Sequence, residues 1–173
     1  MTVAPGTVGQ ESPPRPAPAN VYAEGLLAGI VGAVAIAVWF LILDTIRGRP
    51  FYTPMVLGTA LFRGGTALSA PAELSPSLDL VLPFTFVHVL AFLLIGLAAA
   101  RLLALAERDP DFGFGVVLLF VIFEFGFVLF SAFFAEPVLH ALAWQSVLVG
   151  NLIAAAAMAA VFRTRHPRLT IRP

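Results

Sequence analysis

The sequence predicts an all-α polytopic membrane protein: a bundle of four transmembrane helices with a short interfacial helix in the first extracytoplasmic loop. Hydrophobic residues make up 60% of the 173 and charged residues only 12%, against about a quarter charged in soluble domains. The mean hydropathy is +0.95, so lipid is the expected solvent for most of the chain. The apolar residues gather into four runs, near 21–46, 80–100, 112–135 and 137–162. Each matches the roughly 20 residues that cross a ~30 Å hydrocarbon layer.

Residues 1–20 hold Pro5, Pro13, Pro14, Pro16 and Pro18 with a single Arg15. That composition buries too little apolar surface to offset its ordering entropy and reads as a disordered tail. The first span, Val21–Ile46, is longer than the core of a signal peptide and is expected to stay in the mature protein. Its Gly25, Gly29, Ala33 and Ala37 recur every four residues, a small-residue face on which another helix can approach closely.

The connection over 47–79 is long for a membrane hairpin. Within it Thr53-Pro54 can supply an N-cap and first turn, Met55 to Phe62 is largely apolar, and Arg63-Gly64-Gly65 can end a helix. A short helix in the outer interface is therefore expected, either as a simple cover or as a lid over a site. The second span runs from about Leu80 to Ala100, with Pro83 placed in its first turn and His88 as its polar residue. The third, Phe112 to Ala135, carries Glu124, and the fourth is expected from Pro137 to about Phe162. The whole membrane domain covers 21–163, and 164–173 is a basic tail. The two helix pairs share no matching spacing of Gly, Pro or polar residues, so the inverted repeat that marks many transporters is not found.

An even number of spans puts both termini on one side with Arg15, Arg101, Arg108, Arg163, Arg165, Arg168 and Arg172. Only Arg47, Arg49 and Arg63 remain for the other. The positive-inside rule then places both termini in the cytoplasm and 47–79 outside. The short, arginine-rich, cysteine-free chain is read as a bacterial-type inner-membrane protein.

Ionisable groups inside the hydrocarbon are costly and mark candidate sites. Counted from the outer ends of the spans at 1.5 Å per residue, His88 lies ~12 Å deep and Glu124 ~16 Å deep. Adjacent antiparallel spans then allow a His88–Glu124 hydrogen bond or ion pair. On the fourth span His140, Trp144, Val147 and Asn151 fall on one face, with His140 near the outer boundary and Asn151 deeper, beside His88 and Glu124. Asp44 and Glu136 join His140 near the headgroups, where water is available. These six polar residues sketch a track from the outer face toward the midplane. Bland readings stand beside these: interhelical glue for His88 and Asn151, and hydrated boundary residues for Asp44, Glu136 and His140, whereas Glu124 at its depth must be protonated or paired. Trp144 equally suits an aromatic belt.

The absence of cysteine excludes disulfides, thiolate zinc sites, iron–sulfur clusters and covalent haem. His88 and His140 differ in depth by ~8 Å, which disfavours a bis-histidine haem. A metal at His88 and Glu124 lacks ligands, and no Glu-x-x-His, nucleophile-elbow, phosphate-loop or zinc-protease motif occurs. No cofactor is assigned. All ten cations are arginine and the formal charge is zero, without the basic stripe that nucleic acid requires. The expected partners are the lipid bilayer and other membrane subunits or a second copy. The leading expectation is a non-enzymatic accessory or small-solute-handling component of the inner membrane. The alternatives are a redox or proton-transfer component using the His88/Glu124 pair, and an oligomeric proton-coupled transporter or channel.

The orientation is directly testable, because a cysteine-free chain gives no labelling background. Impermeant maleimide applied to intact cells is expected to label Ser69→Cys and to leave Ser12→Cys unlabelled; the opposite pattern reverses the topology.

Overall fold

A computed structural model describes residues 18–64, 77–106 and 143–165. They form four helices: α1 (Pro18–Ile46), α2 (Tyr52–Arg63), α3 (Leu78–Ala106) and α4 (Trp144–Arg165). Three of these, α1, α3 and α4, are long and apolar enough to cross a membrane, as expected of a membrane protein. The expected third span, with Glu124, and the segment holding Glu136 and His140 lie outside the described residues, as do 1–17 and 166–173 of the two tails, while residues 18–20 belong to α1 and 164–165 to α4. Large apolar side chains stand exposed along all three long helices, among them Ile30, Val34, Val38 and Ile42 on α1, Leu82, Phe86, Leu90 and Leu94 on α3, and Leu152 on α4. A monomer in water rarely tolerates apolar patches of that extent; lipid does.

The central element is α1, which packs against both α3 and α4. Its pairing with α3 is antiparallel: Gly25 meets Gly96 and Leu97, while Gly29 meets Phe92 and Leu93. Its pairing with α4 is antiparallel too, since Gly32 meets Met158 whereas Trp39 meets Gly150. Consequently α3 and α4 run parallel. Arg101, Arg163 and Arg165 lie toward the end of the bundle where α1 begins, and Arg47, Arg49 and Arg63 toward the opposite end.

The backbones of α1 and α3 come so close that no side chain fits between them at three glycines. A Cβ on Gly29 would lie 2.5 Å from the Phe92 carbonyl oxygen, and one on Gly25 would lie 2.9 Å from that of Gly96. A Cβ on Gly96 would overlap the carbonyl oxygen of Gly25. The small-residue face predicted on α1 is thus a contact face at Gly25, Gly29 and Ala33, all buried, but Ala37 is exposed. The reason is helical geometry: a step of four residues overshoots a turn by about 40°, so the fourth member of the series has rotated by about 120°. The buried stripe returns instead through Phe40 and Asp44.

Two apolar clusters close the bundle at its ends. Ala28 joins Ala99, Ala100 and Leu103 of α3 and Met158 and Phe162 of α4 near the start of α1. At the other end Phe40 and Val147 close on Val56 of α2, with Trp39, Leu43 and Tyr52 around them. A smaller group, Met55 with Leu80 and Val81, fixes α2 to the start of α3.

Boundaries shift from those expected, each for a local reason. The start of α3 at Leu78, where the Ser77 carbonyl accepts from Leu80 and Val81 N–H groups, moves Pro83 from the first turn to the helix interior. There it supplies no N–H for the Asp79 carbonyl, a defect membrane helices accommodate. The expected start of the fourth span at Pro137 lies outside the described residues; the described helix begins at Trp144. Ala143 is non-helical, and its carbonyl accepts the first-turn N–H groups of Ser146 and Val147 at 2.8 and 3.4 Å.

The tightness of the α1–α3 contact gives a sharp expectation. Gly29→Ala adds one methyl against a carbonyl and is expected to lower stability by roughly 1–3 kcal/mol, several degrees in a detergent melt, with Gly29→Leu worse. Val38→Leu, on the exposed side of the same helix, is expected to be mild. Equal tolerance at both positions would show that the helices do not touch there.

Candidate functional site

Asp44, expected as a hydrated boundary residue, is completely buried (0% exposed). It sits in the last turn of α1, and the chain then reverses through Gly48 (φ 70°) and Phe51 (φ 65°), both left-handed. This reversal brings the first turn of α2 onto the carboxylate. Asp44 Oδ2 accepts the Thr53 backbone N–H at 2.7 Å and Oδ1 accepts the Thr53 hydroxyl at 2.9 Å. The carboxylate therefore caps α2 from outside its own sequence, where unsatisfied N–H groups and the helix dipole favour negative charge. Thr53, expected to be the N-cap, lies inside the helix as a donor; the N-cap position is held by Phe51, which gives no side-chain bond. With the cap supplied from α1, the helix has no need of a local one.

Around this latch the turn is closed by its own backbone: Arg49 N–H donates to the Asp44 carbonyl at 2.8 Å and Tyr52 N–H to the Arg49 carbonyl at 3.1 Å. The Arg49 guanidinium lies 3.8 Å above the Tyr52 ring, a cation–π contact. The helix ends at Gly64 (φ 80°), as the Arg63-Gly64 pair predicts. Its burial extends round most of the circumference, through Thr53, Met55, Val56, Gly58 and Thr59, which is more than a helix lying only on a surface would show.

His88 occupies α3 opposite Ala33. Its Nε2 stands 3.2 Å from the Ala33 carbonyl oxygen, so the neutral ring with the proton on that nitrogen makes an interhelical hydrogen bond. Phe84 and Phe92, one turn to either side, flank the imidazole with centroids 6.0 and 4.9 Å away. The expected partner, Glu124, is outside the described residues, so the His88–Glu124 pairing is neither seen nor replaced; what is seen is that the imidazole already has an acceptor in α1.

On α4, Val147 is buried, Asn151 is half-buried beside the inward face and Trp144 is exposed. Asn151 adjoins Gly150, which faces Trp39, whereas His88 faces Ala33. Asn151 thus stands nearer the α2 end of the bundle than His88 does. The contact that sequence reading missed is Trp39 Nε1, which donates to the Ser146 carbonyl at 2.9 Å. Gly150 makes it possible, since a Cβ there would lie 2.9 Å from the indole Cδ1. Its only sequence signal is a glycine one turn after a serine, opposite a mid-span tryptophan.

Among the described residues no group of three His, Asp or Glu side chains converges to hold a metal ion. Searches against protein families, characterised proteins and solved structures gave no match to this chain. Chemistry must therefore be inferred from the residues themselves.

The Asp44–Thr53 latch predicts graded losses. Thr53→Val removes one of the two bonds and is expected to destabilise by about 1 kcal/mol. Asp44→Ala strands a buried N–H and a buried hydroxyl together and is expected to cost about 2–4 kcal/mol, read by thermal unfolding in detergent. Asp44→Asn, whose amide can reproduce both contacts with its oxygen and nitrogen, is expected to fall between them.

Proposed function

We propose that this chain is a non-enzymatic accessory or small-solute-handling component of a bacterial-type inner membrane. In this reading it crosses the bilayer four times, with α1, α3 and α4 as the first, second and fourth spans and the 112–135 run as the third. Both termini are cytoplasmic and α2 sits at the outer boundary. The described arginines divide equally, with Arg101, Arg163 and Arg165 toward the α1 start and Arg47, Arg49 and Arg63 toward the other end, so what supports that orientation is the sequence's further Arg15, Arg108, Arg168 and Arg172 on the side of the termini.

One observation carries the functional reading. The two candidate ionisable side chains within the described helices, His88 and Asp44, are both engaged by the chain's own backbone, at Ala33 and Thr53. Groups bound to backbone hold helices in place; a residue that relays protons or binds substrate needs a partner that exchanges. A component whose interior polarity serves its own architecture works through its surfaces, with another membrane subunit or a second copy.

The test compares two substitutions in the intact membrane. His88→Phe keeps the aromatic ladder and loses one interhelical bond, worth about 0.6 kcal/mol in membrane helices. It is expected to preserve folding and the phenotype of the gene. Glu124→Gln keeps shape and removes the titratable proton, and it too is expected to leave the phenotype intact. A folded Glu124→Gln protein that has lost it would replace this reading with the proton-transfer one.

A further inference from the structure

We propose that α2 is a hinged cap with two positions, docked on the bundle as seen and swung away about residues 47–51. This goes beyond the accessory reading and does not depend on it. Its basis is that the docked position contains two unfavourable local features, both of which disappear if α2 leaves.

The first is Thr59. Its side chain is 1% exposed and its Oγ1 has no hydrogen-bond partner among the described residues. The contrast with other helical threonines is informative. Thr45, Thr85 and Thr164 each donate to a carbonyl three or four residues earlier in their own helix, at 2.6–2.7 Å. Thr59 does not take that ready solution. It lies between Met55, which packs on Leu80 and Val81 of α3, and Val56, which packs with Phe40 and Val147. The hydroxyl therefore belongs to the face that α2 turns toward the other helices. A buried hydroxyl without a partner favours any arrangement that returns it to water or headgroups.

The second is Phe51, which holds φ 65°, a conformation that is a strained outlier for a bulky residue. Its side chain is 47% exposed, so burial of the ring does not compensate the backbone. The strained turn is what lets α2 reach the Asp44 carboxylate. Against these two features stand the Asp44–Thr53 bonds, the contacts of Met55 and Val56, and the close seat of Gly58, where a Cβ would lie 2.8 Å from the Leu80 carbonyl oxygen. Opposed terms of this kind, with a short turn containing two left-handed residues as the hinge, are the makings of a bistable element. Opening uncovers the end of the bundle at Phe40, Leu80 and Val147.

Hydrogen–deuterium exchange of the full chain in lipid nanodiscs tests the proposal, because a helix of 12 residues frays once it loses its packing. Thr59→Val removes the unpartnered hydroxyl at nearly constant volume and is expected to slow exchange over 55–63 by roughly tenfold. Asp44→Ala releases the latch and is expected to speed exchange over the same segment at least about tenfold, with the middles of α1, α3 and α4 unchanged. Unchanged or faster exchange in Thr59→Val overturns the proposal. So does an Asp44→Ala protein in which all the helices speed up together, since α2 would then have no independent opening. If Asp44→Ala does not fold, Thr59→Val decides alone.

Discussion

The contact of α1 with α3 at Gly25, Gly29 and Gly96 sets the geometry on which the rest of the structure depends. In lipid, helices gain nothing by hiding apolar surface from one another, so association rests on close packing and interhelical polar contacts. Three glycines let two backbones meet with carbonyl oxygens against Cα atoms. This contact fixes how closely α3 approaches α1, and so how near Leu80 and Val81 stand to the end of α1 that receives α2. Met158 and Phe92 both reach Gly32, so α4 is positioned against the same stretch of α1. A side chain added at the crossing would displace all three neighbours, not one.

The polar groups follow a common economy. Trp39 finds the Ser146 carbonyl, His88 the Ala33 carbonyl, and Asp44 the first turn of α2. Each joins two elements, and each uses backbone for its partner. In a low-dielectric surrounding an unpartnered polar group is expensive, and backbone carbonyls and helix N-termini are the partners always present. The Asp44 carboxylate is the strongest case, because it is completely buried and placed at the N-terminus of α2. Thr59 is the exception: its buried hydroxyl has no partner among the described residues.

Much of this was legible in the residues. Apolar run length located α1, α3 and the body of α4, and glycine spacing identified the contact face of α1 as far as Ala33. The Met55–Phe62 stretch with its terminal glycine announced α2. What could not be read was anything that required knowing which residues distant in sequence meet. Asp44 and Thr53 are separated by a turn whose left-handed conformations at Gly48 and Phe51 are invisible to hydropathy, so Asp44 looked like a hydrated end residue. The acceptor that His88 finds in α1, the Ala33 carbonyl, carries no side-chain signal, and Glu124, its expected partner by depth, lies outside the described residues. Ala37 failed because spacing by four is only a local approximation to a 3.6-residue turn.

Register gives the scattered polar contacts a shared consequence. A groove lined by Gly25, Gly29 and Ala33 presents similar shapes at successive turns, so packing alone discriminates poorly against a slide of one turn, about 5.4 Å. Such a slide would carry His88 Nε2 out of reach of the Ala33 carbonyl and leave an imidazole unpaired among Phe84 and Phe92. It would also move Leu80 away from Gly58 and Met55, removing the seat of α2. Glycines therefore determine how closely α1 and α3 approach, whereas the His88 bond to the Ala33 carbonyl determines which of the possible alignments is occupied. Polar residues used in this way contribute little net stability and much specificity, as a single buried polar residue fixes register in a coiled coil. On that account the half-buried histidine in the middle of α3 has a reason to exist that requires no chemistry, and the same reasoning ties the position of α2 at one end of the bundle to glycines three to four helical turns away in α1.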